Sequence, residues 1–119
     1  MAEVVNLTGT LAGFEALWSQ HIVAGYDGND VMSVKVQGEF VWHSRPDTDD
    51  FFLVPHGEID IQMRDRTVTL RTGGVFVVPA GAEHRPVAWA KAHLRPIGPR
   101  GTPGTGDPAV AAASVKVAL

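Results

Sequence analysis

The 119-residue chain carries 10 Lys and Arg residues against 13 Asp and Glu residues, a net charge of −3, and 45% of its residues are hydrophobic. This balance is typical of one globular domain over residues 1–119 and gives no electrostatic reason to expect nucleic acid or an anionic membrane as a partner. The absence of cysteine excludes disulfides, thiolate metal ligands and a cysteine nucleophile. Because neither a secretory signal nor an apolar run of ~20 residues is found, we expect a cytoplasmic protein.

The N-terminal part, residues 1–25, is predicted to form an extended arm and a short helix. The apolar residues that follow Thr10 recur at helical spacing: Leu11, Phe14, Leu17 and Trp18. His21 would then end this helix, where a cation suits the helix dipole, and we interpret it as structural. A turn is predicted at residues 26–30.

Residues 31–98 have the pattern of short strands separated by turns rich in glycine and proline. The predicted strands are 31–37, 40–45, 51–54, 59–64, 67–71, 75–78, 84–89 and 93–97. Gly38 interrupts an alternating run and predicts a bulge. Many short strands with frequent turns predict a closed β-sandwich or barrel. The Gly- and Pro-rich tail, residues 99–119, is consistent with either a helix or a strand near its end.

Two blocks within this region carry most of the candidate functional residues. The first block contains Gly38, His43, Arg45, Asp50 and Gly57. The second contains Gly73, Pro79, Gly81 and His84. Residues 43 and 45 lie on one face of a strand, and His84 follows a turn that could bring it alongside them.

The two blocks resemble the paired sequence motifs of the cupin superfamily. The first family motif is glycine, His-x-His, glutamate and glycine, and the second is glycine, Pro-x-Gly and histidine. The likeness extends over about residues 3–107 and is strongest to small bacterial cupins described as mannose-6-phosphate-isomerase-like. It implies an all-β double-stranded β-helix, or jelly-roll barrel, with a short N-terminal helix. It also implies a cavity in which three histidines and a glutamate hold a divalent metal.

This chain departs from the family pattern at two ligand positions. Arg45 stands where the second histidine is expected, and an arginine has no lone pair to offer a metal. Asp50 replaces the glutamate and has a shorter side chain. The cupin site is therefore predicted to be degenerate, with His43, Asp50 and His84 as its remaining candidate ligands.

Two interpretations of this altered site remain open. In the first, His43, Asp50 and His84 bind one divalent ion such as iron, manganese, nickel or zinc, with open positions for water or substrate. In the second, the Arg45 guanidinium takes the place of the metal and pairs with Asp50. A fixed cation beside the site would also repel a dication.

Further residues outside the motifs are candidates for substrate binding. Arg95, if it faces inward, would form a cationic cavity with Arg45 for a carboxylate or phosphate, whereas on the outer face it would make only a weak surface pair. His93 is predicted to line either the cavity or a subunit contact. His56 lies in a turn and is expected to be exposed to solvent.

The leading functional hypothesis is a cupin that binds a small polar or anionic molecule in the barrel and acts on it as an enzyme. His43 and His84 would serve as acid/base groups or ligands, with Arg45 orienting the substrate and Asp50 completing the site. The alternatives are a non-catalytic ligand-binding or accessory cupin, and a metal-dependent dioxygenase or isomerase. A homodimer is expected, with Phe40 and Trp42 as the candidate contact.

Overall fold

A computed structural model of the protein describes residues 3–100 and the backbone of a terminal strand at residues 116–118. The helix α1 is Leu7–Leu11. The strands are β1 Gln20–Tyr26, β2 Asn29–Glu39, β3 Asp50–Leu53, β4 Ile59–Met63, β5 Thr67–Leu70, β6 Val75–Val78, β7 His84–Leu94, β8 Ile97–Pro99 and β9 Lys116–Ala118. Within these described residues, no helix is both long enough and apolar enough to cross a membrane.

The strands form a large sheet and a small one. The large sheet has the order β5-β4-β7-β2-β1-β9, with β8 paired to β2 in addition, and the small sheet pairs β3 with β6. Apart from the parallel pair of β1 and β9, the paired strands run antiparallel. This arrangement confirms the predicted all-β jelly-roll barrel with one short helix.

The core lies between the two sheets and is built from residues that alternate along the strands. Each strand directs every second side chain inward, which is why the period of two in the sequence identified this face. The core residues are Val34, Val36, Phe52, Val54, Ile59, Ile61, Leu70, Val78, Ala88, Ala92 and Leu94. The metal-ligand candidates lie at one edge of this apolar cluster.

The prediction of a helix after Thr10 is wrong in position, because the helix is Leu7–Leu11. The helix ends at Leu11, and the chain from Phe14 to Trp18 is irregular. His21 is in β1 rather than at a helix end, and its ring stacks on Phe14 with 3.7 Å between ring centroids. Burial and the nearby charge of Lys35 lower the pKa of His21, so the ring is held in its neutral form. Tertiary contacts therefore determine the structure of this segment.

Several strand boundaries also differ from the prediction. Strand β1 begins within the predicted helix, and residues 40–45 are not a regular strand because only His43 forms an isolated bridge there. The two strands predicted within residues 84–97 are mostly one continuous strand, β7, followed by β8. In the tail, Pro99 ends β8 and Lys116–Ala118 is a strand, whereas residues 101–115 and 119 lie outside the described residues.

The predicted bulge at Gly38 is confirmed. The register between β2 and β7 shifts between Val36 and Gly38, and Gly38 has φ 85°. A positive φ of this size strongly favours glycine because a Cβ atom would clash with the backbone.

Replacing Gly57 with alanine is expected to lower the free energy of unfolding by about 3 kcal/mol. Gly57 has φ 93°, and a Cβ built there would lie 2.7 Å from Cβ of Ala92, so backbone strain and overpacking add together. Gly81 has φ 85° but nothing within 4 Å of such a Cβ. The matched control Gly81→Ala should therefore cost only ~1 kcal/mol. Urea unfolding measures both values, and equal losses would contradict this account of Gly57.

Candidate metal centre

His43, Asp50 and His84 are brought together by two strand starts and one backbone bridge. Asp50 begins β3 and His84 begins β7. The backbones of His43 and His84 exchange hydrogen bonds of 3.0 and 2.9 Å, which sets the two rings side by side with their centroids 4.4 Å apart. All three side chains are buried, and one ligand atom from each lies within 4.8 Å of the others. The three ligands predicted from the motifs therefore converge.

Backbone carbonyl groups fix the orientation of both imidazole rings. Nδ1 of His43 lies 3.0 Å from the carbonyl oxygen of Val41, and Nδ1 of His84 lies 2.9 Å from that of Ala82. A carbonyl oxygen only accepts hydrogen bonds, so each Nδ1 must carry the proton and donate it. In a neutral ring this leaves the lone pair on Nε2.

Both Nε2 atoms face the same carboxylate oxygen. Oδ2 of Asp50 lies 2.8 Å from Nε2 of His84 and 3.5 Å from Nε2 of His43. Two lone pairs directed at a carboxylate oxygen would repel it, so a positive charge is required between them. That charge can be a proton, which makes an imidazolium, or a metal ion that accepts all three lone pairs.

The three ligand atoms fit a divalent metal ion. Two ligand atoms bound at about 2.1 Å to one ion stand roughly 3 Å apart when they are at right angles and roughly 3.4 Å apart at the tetrahedral angle. The two contacts of Asp50 Oδ2, 2.8 and 3.5 Å, are close to this range. The Nδ1 bonds to carbonyl oxygens are the contacts that ordinarily orient metal-bound histidines.

Arg45 approaches the carboxylate from the other side. Its Nε lies 3.3 Å from Oδ1 of Asp50, and both side chains are buried. The predicted pairing of Arg45 with Asp50 is therefore present, but the guanidinium contacts Oδ1 and leaves Oδ2 facing the histidines. Burial alone would raise the pKa of the Asp50 carboxyl, but hydrogen bonds from His43 and His84, made when Nε2 carries a proton, and the charge of Arg45 lower it well below its usual range.

The other predicted substrate residues lie elsewhere. Arg95 and His93 line a separate cavity next to α1, whereas Leu94 and Pro96, between and after them, line the cavity beside the metal-ligand candidates. The prediction that Arg95 shares one cationic cavity with Arg45 is therefore corrected, because alternation along the chain turns Arg95 to the opposite face. The prediction of an exposed His56 is confirmed.

Phe40 also differs from the expectation that it lies on an outer face. It lines the central cavity, stacks on Trp18 with 4.9 Å between ring centroids and meets the His43 ring edge-on at 5.6 Å. Because residues 40–45 are not a regular strand, strict alternation does not apply to them. Trp42 is half-buried, with the guanidinium of Arg64 3.7 Å from its ring centroid.

The cavity beside the ligands is small and mostly apolar. Its volume is about 30 Å³, which is room for a water molecule or two. Besides Phe40, the wall residues that the sequence does not assign to the site are Trp18, Gln20, Val34, Phe52, Pro86, Leu94 and Pro96. Alternation of apolar residues along the strands marks most of these side chains as inward-facing. Nothing in the sequence, however, distinguishes the wall of a cavity from the solid core.

Trp18 has an unusual backbone at the edge of this cavity. Its φ is 62°, which is rare for a bulky residue and costs energy. The backbone N–H of Trp18 donates to Lys35 O at 2.8 Å and its indole Nε1 donates to Gln37 O at 3.0 Å. These bonds hold the indole against Phe40, so Trp18 covers the cavity in a fixed orientation.

Comparison with known proteins agrees with this fold. The sequence profile of the Cupin domain family matches residues 30–95. A cupin-2 domain protein of Shewanella frigidimarina is 38% identical, with a TM-score of 0.80 over 82% of this chain and 95% of that one. The chain therefore belongs to the Cupin domain family.

Two further relatives are less informative about function. The uncharacterised protein YdbB of Bacillus subtilis is 39% identical over 49 residues, which span 40% of this chain and only 43% of that protein. The hydroquinone 1,2-dioxygenase PnpCD, whose structure contains Cd²⁺ and 4-hydroxybenzonitrile, is 18% identical, with a TM-score of 0.69 over 94% of this chain and 76% of that one. At that identity the likeness concerns the fold alone.

Proposed function

We propose that this protein is a metal-dependent cupin that binds one divalent transition-metal ion through His43, Asp50 and His84 and acts on a small molecule beside it. The observation that carries the proposal is the pair of Nδ1–H donations to backbone carbonyl oxygens, which direct both Nε2 atoms at one carboxylate oxygen. Two imidazoles and a carboxylate suit iron, manganese, nickel or zinc. The cadmium-bound dioxygenase of similar fold supports metal binding in such a barrel.

The alternative, in which Arg45 takes the place of the metal, is less well supported. The guanidinium pairs with Oδ1 of Asp50 and does not lie between the two histidine rings. It can therefore neutralise the carboxylate without supplying the charge that the two Nε2 atoms need. We assign Arg45 the role of holding Asp50 in position and of giving the site a positive charge that attracts an anionic substrate.

Three ligands from the protein would leave coordination positions open for water and substrate. A bound metal would act there as a Lewis acid, or as a redox centre if it is iron or manganese. The chain's own residues orient the ligands, through the carbonyl groups of Val41 and Ala82, and exclude bulk water, through the aromatic walls. Phe52 meets the His84 ring edge-on at 5.8 Å and closes the inner side.

The size of the cavity limits the substrate. A volume of about 30 Å³ is roughly tenfold smaller than an ordinary ligand pocket. A substrate larger than a few atoms therefore requires Trp18 and Phe40 to move apart. The strained backbone of Trp18 marks it as the residue whose displacement would open the site.

The finer assignments rest on the sequence. Membership of the mannose-6-phosphate-isomerase-like subgroup, a homodimer and a cytoplasmic location stay predictions. A non-catalytic accessory role is the second candidate function, and it is favoured by the small volume of the cavity. Coordination positions that exchange water for an added ligand would distinguish an enzyme from a non-catalytic accessory protein.

Cobalt-loaded protein provides the test. Adding azide, a small anionic ligand, should change the visible d–d absorption of the bound Co²⁺ in a saturable way, because open positions accept the anion. Trp18→Ala should make this change faster, and His56→Gln, in the wall of the separate cavity next to α1, should leave it unaltered. Absorption that stays insensitive to azide while cobalt remains bound would contradict an open catalytic site.

A further inference from the structure

A second, larger cavity shares no lining residue with the cavity beside the metal-ligand candidates. Its volume is about 420 Å³, within the range of ordinary small-molecule sites. Helix α1, the segment around His56 and the end of β7 line this open cavity. The lining residues used below are Leu7, Leu11, Pro55, His56, His93 and Arg95.

Arg95 brings a buried positive charge to this cavity. Arg95 is only 6% exposed, and burial lowers the pKa of its guanidinium. One NH group, Nη1, donates to Ser33 Oγ and to the carbonyl oxygen of Met32. Nε has no hydrogen-bond partner within residues 3–100, and no acid in that part of the chain forms an ion pair with Arg95. A buried guanidinium without a carboxylate is costly unless an anion joins it.

Two histidines add further donors on the same side. His56 and His93 are bridged through their backbones, with His93 N donating to His56 O at 2.9 Å, and their ring centroids are 5.2 Å apart. Burial, followed by the charges of His56, Lys35, Arg95 and Lys91, lowers the pKa of His93. The groups acting on this ring are all basic, so its surroundings favour an anion.

We propose that this cavity is a binding site for a small organic anion, whose carboxylate or phosphate contacts Arg95, His56 and His93 and whose apolar portion packs against Leu7 and Leu11. The site is distinct from the metal centre, because Arg95 and Leu94 point to opposite faces of the same segment. His93 is in β7, Arg95 directly follows that strand and His56 is bridged to His93, whereas α1 and Pro55 supply apolar surface. An amphipathic ligand contacts both the basic groups and the apolar surface of the cavity, whereas an inorganic anion contacts only the basic groups.

Hexanoate is the first probe, with hexan-1-ol as the neutral molecule of equal length and hexyl phosphate as the second anion. Isothermal titration calorimetry is expected to give a dissociation constant of ~1 mM for hexanoate, a value suited to so few atoms. Hexan-1-ol should bind at least ~10-fold more weakly, since it lacks the charge-assisted bonds to Arg95. If hexanoate binds more tightly than hexyl phosphate, the natural ligand is a carboxylate. If hexyl phosphate binds more tightly, the natural ligand is a phosphate. Equal affinity for hexanoate and hexan-1-ol would overturn the proposal.

Substitutions in the two cavities show where hexanoate binds. His56→Gln and His93→Gln change partly exposed side chains and should each weaken hexanoate binding several-fold, while Arg95→Met should weaken it ~10-fold or more if the variant folds. In NMR titrations, hexanoate should raise the pKa of His93, an effect that a purely structural histidine would not show. His84→Gln, in the metal centre, should leave hexanoate binding unchanged. Loss of binding in His84→Gln together with normal binding in His56→Gln would overturn the proposal.

Discussion

Replacing Asp50 with asparagine is expected to lower the free energy of unfolding of the metal-free protein by about 3–5 kcal/mol. Asparagine has nearly the same shape, but it removes the carboxylate that faces Arg45, His43 and His84. Arg45 is only 7% exposed, so water cannot replace the lost charge. Chemical denaturation in the presence of a chelator measures the loss, which is a large part of the stability of an ordinary domain.

A double-mutant cycle separates this charge effect from simple packing. Arg45→Met should cost less than Asp50→Asn, because the two histidines still face the carboxylate, and the double variant should be more stable than Asp50→Asn alone. The control is Glu58→Gln, which breaks the exposed ion pair of Glu58 with Arg71 and should change stability by less than ~1 kcal/mol. Strictly additive losses in the double variant would contradict the buried pair.

Replacing His84 with glutamine is expected to weaken metal binding by at least ~100-fold. The variant removes one of three ligands, and even the loss of a residue that only orients a ligand commonly costs 10- to 100-fold. Competition with a chromophoric chelator for Zn²⁺ measures the affinity, and circular dichroism checks that the variant folds.

His56→Gln is the matched control for this experiment. His56 lies in the other cavity and is paired with His93 rather than with an acid. Its replacement should leave the affinity for Zn²⁺ unchanged. Equal losses in the two variants would indicate that zinc binds histidines on the surface and that the account of the centre is wrong.

The turns and the site could be predicted because they depend on particular residue types. Gly38, Gly57, Gly73 and Gly81 all have positive φ, a conformation that few other residues adopt, so their spacing carries structural information by itself. His43, Asp50 and His84 follow or precede such turns, and the resemblance to the cupin motifs identified them. Their convergence is a consequence of strand pairing between residues far apart in sequence.

The N-terminal segment could not be predicted because its apolar residues satisfy two patterns. Phe14, Leu17 and Trp18 have helical spacing, yet each is used in a separate contact: Phe14 stacks on His21, Leu17 bridges to Lys35 and Trp18 covers the cavity. The partners of Leu17 and Trp18 lie beyond the local window over which periodicity is read. The positive φ of Trp18 in particular is stabilised only by tertiary hydrogen bonds.

The position of Arg95 illustrates a different limit. Alternation correctly separates Arg95 from Leu94, but it does not say which of the two faces the barrel interior. The structure instead uses the aliphatic Leu94 for the interior and directs the guanidinium to Ser33 and the second cavity.

The central claim is that His43, Asp50 and His84 form a metal centre, and crystals grown with Zn²⁺ test it most directly. An anomalous-difference map collected at the zinc edge is predicted to contain a peak about 2.0–2.2 Å from Nε2 of His43, Nε2 of His84 and Oδ2 of Asp50. Arg45 should remain on Oδ1, as it is in this structure. A map with no peak between these atoms, and with His84 Nε2 still bonded directly to Asp50, would contradict the claim.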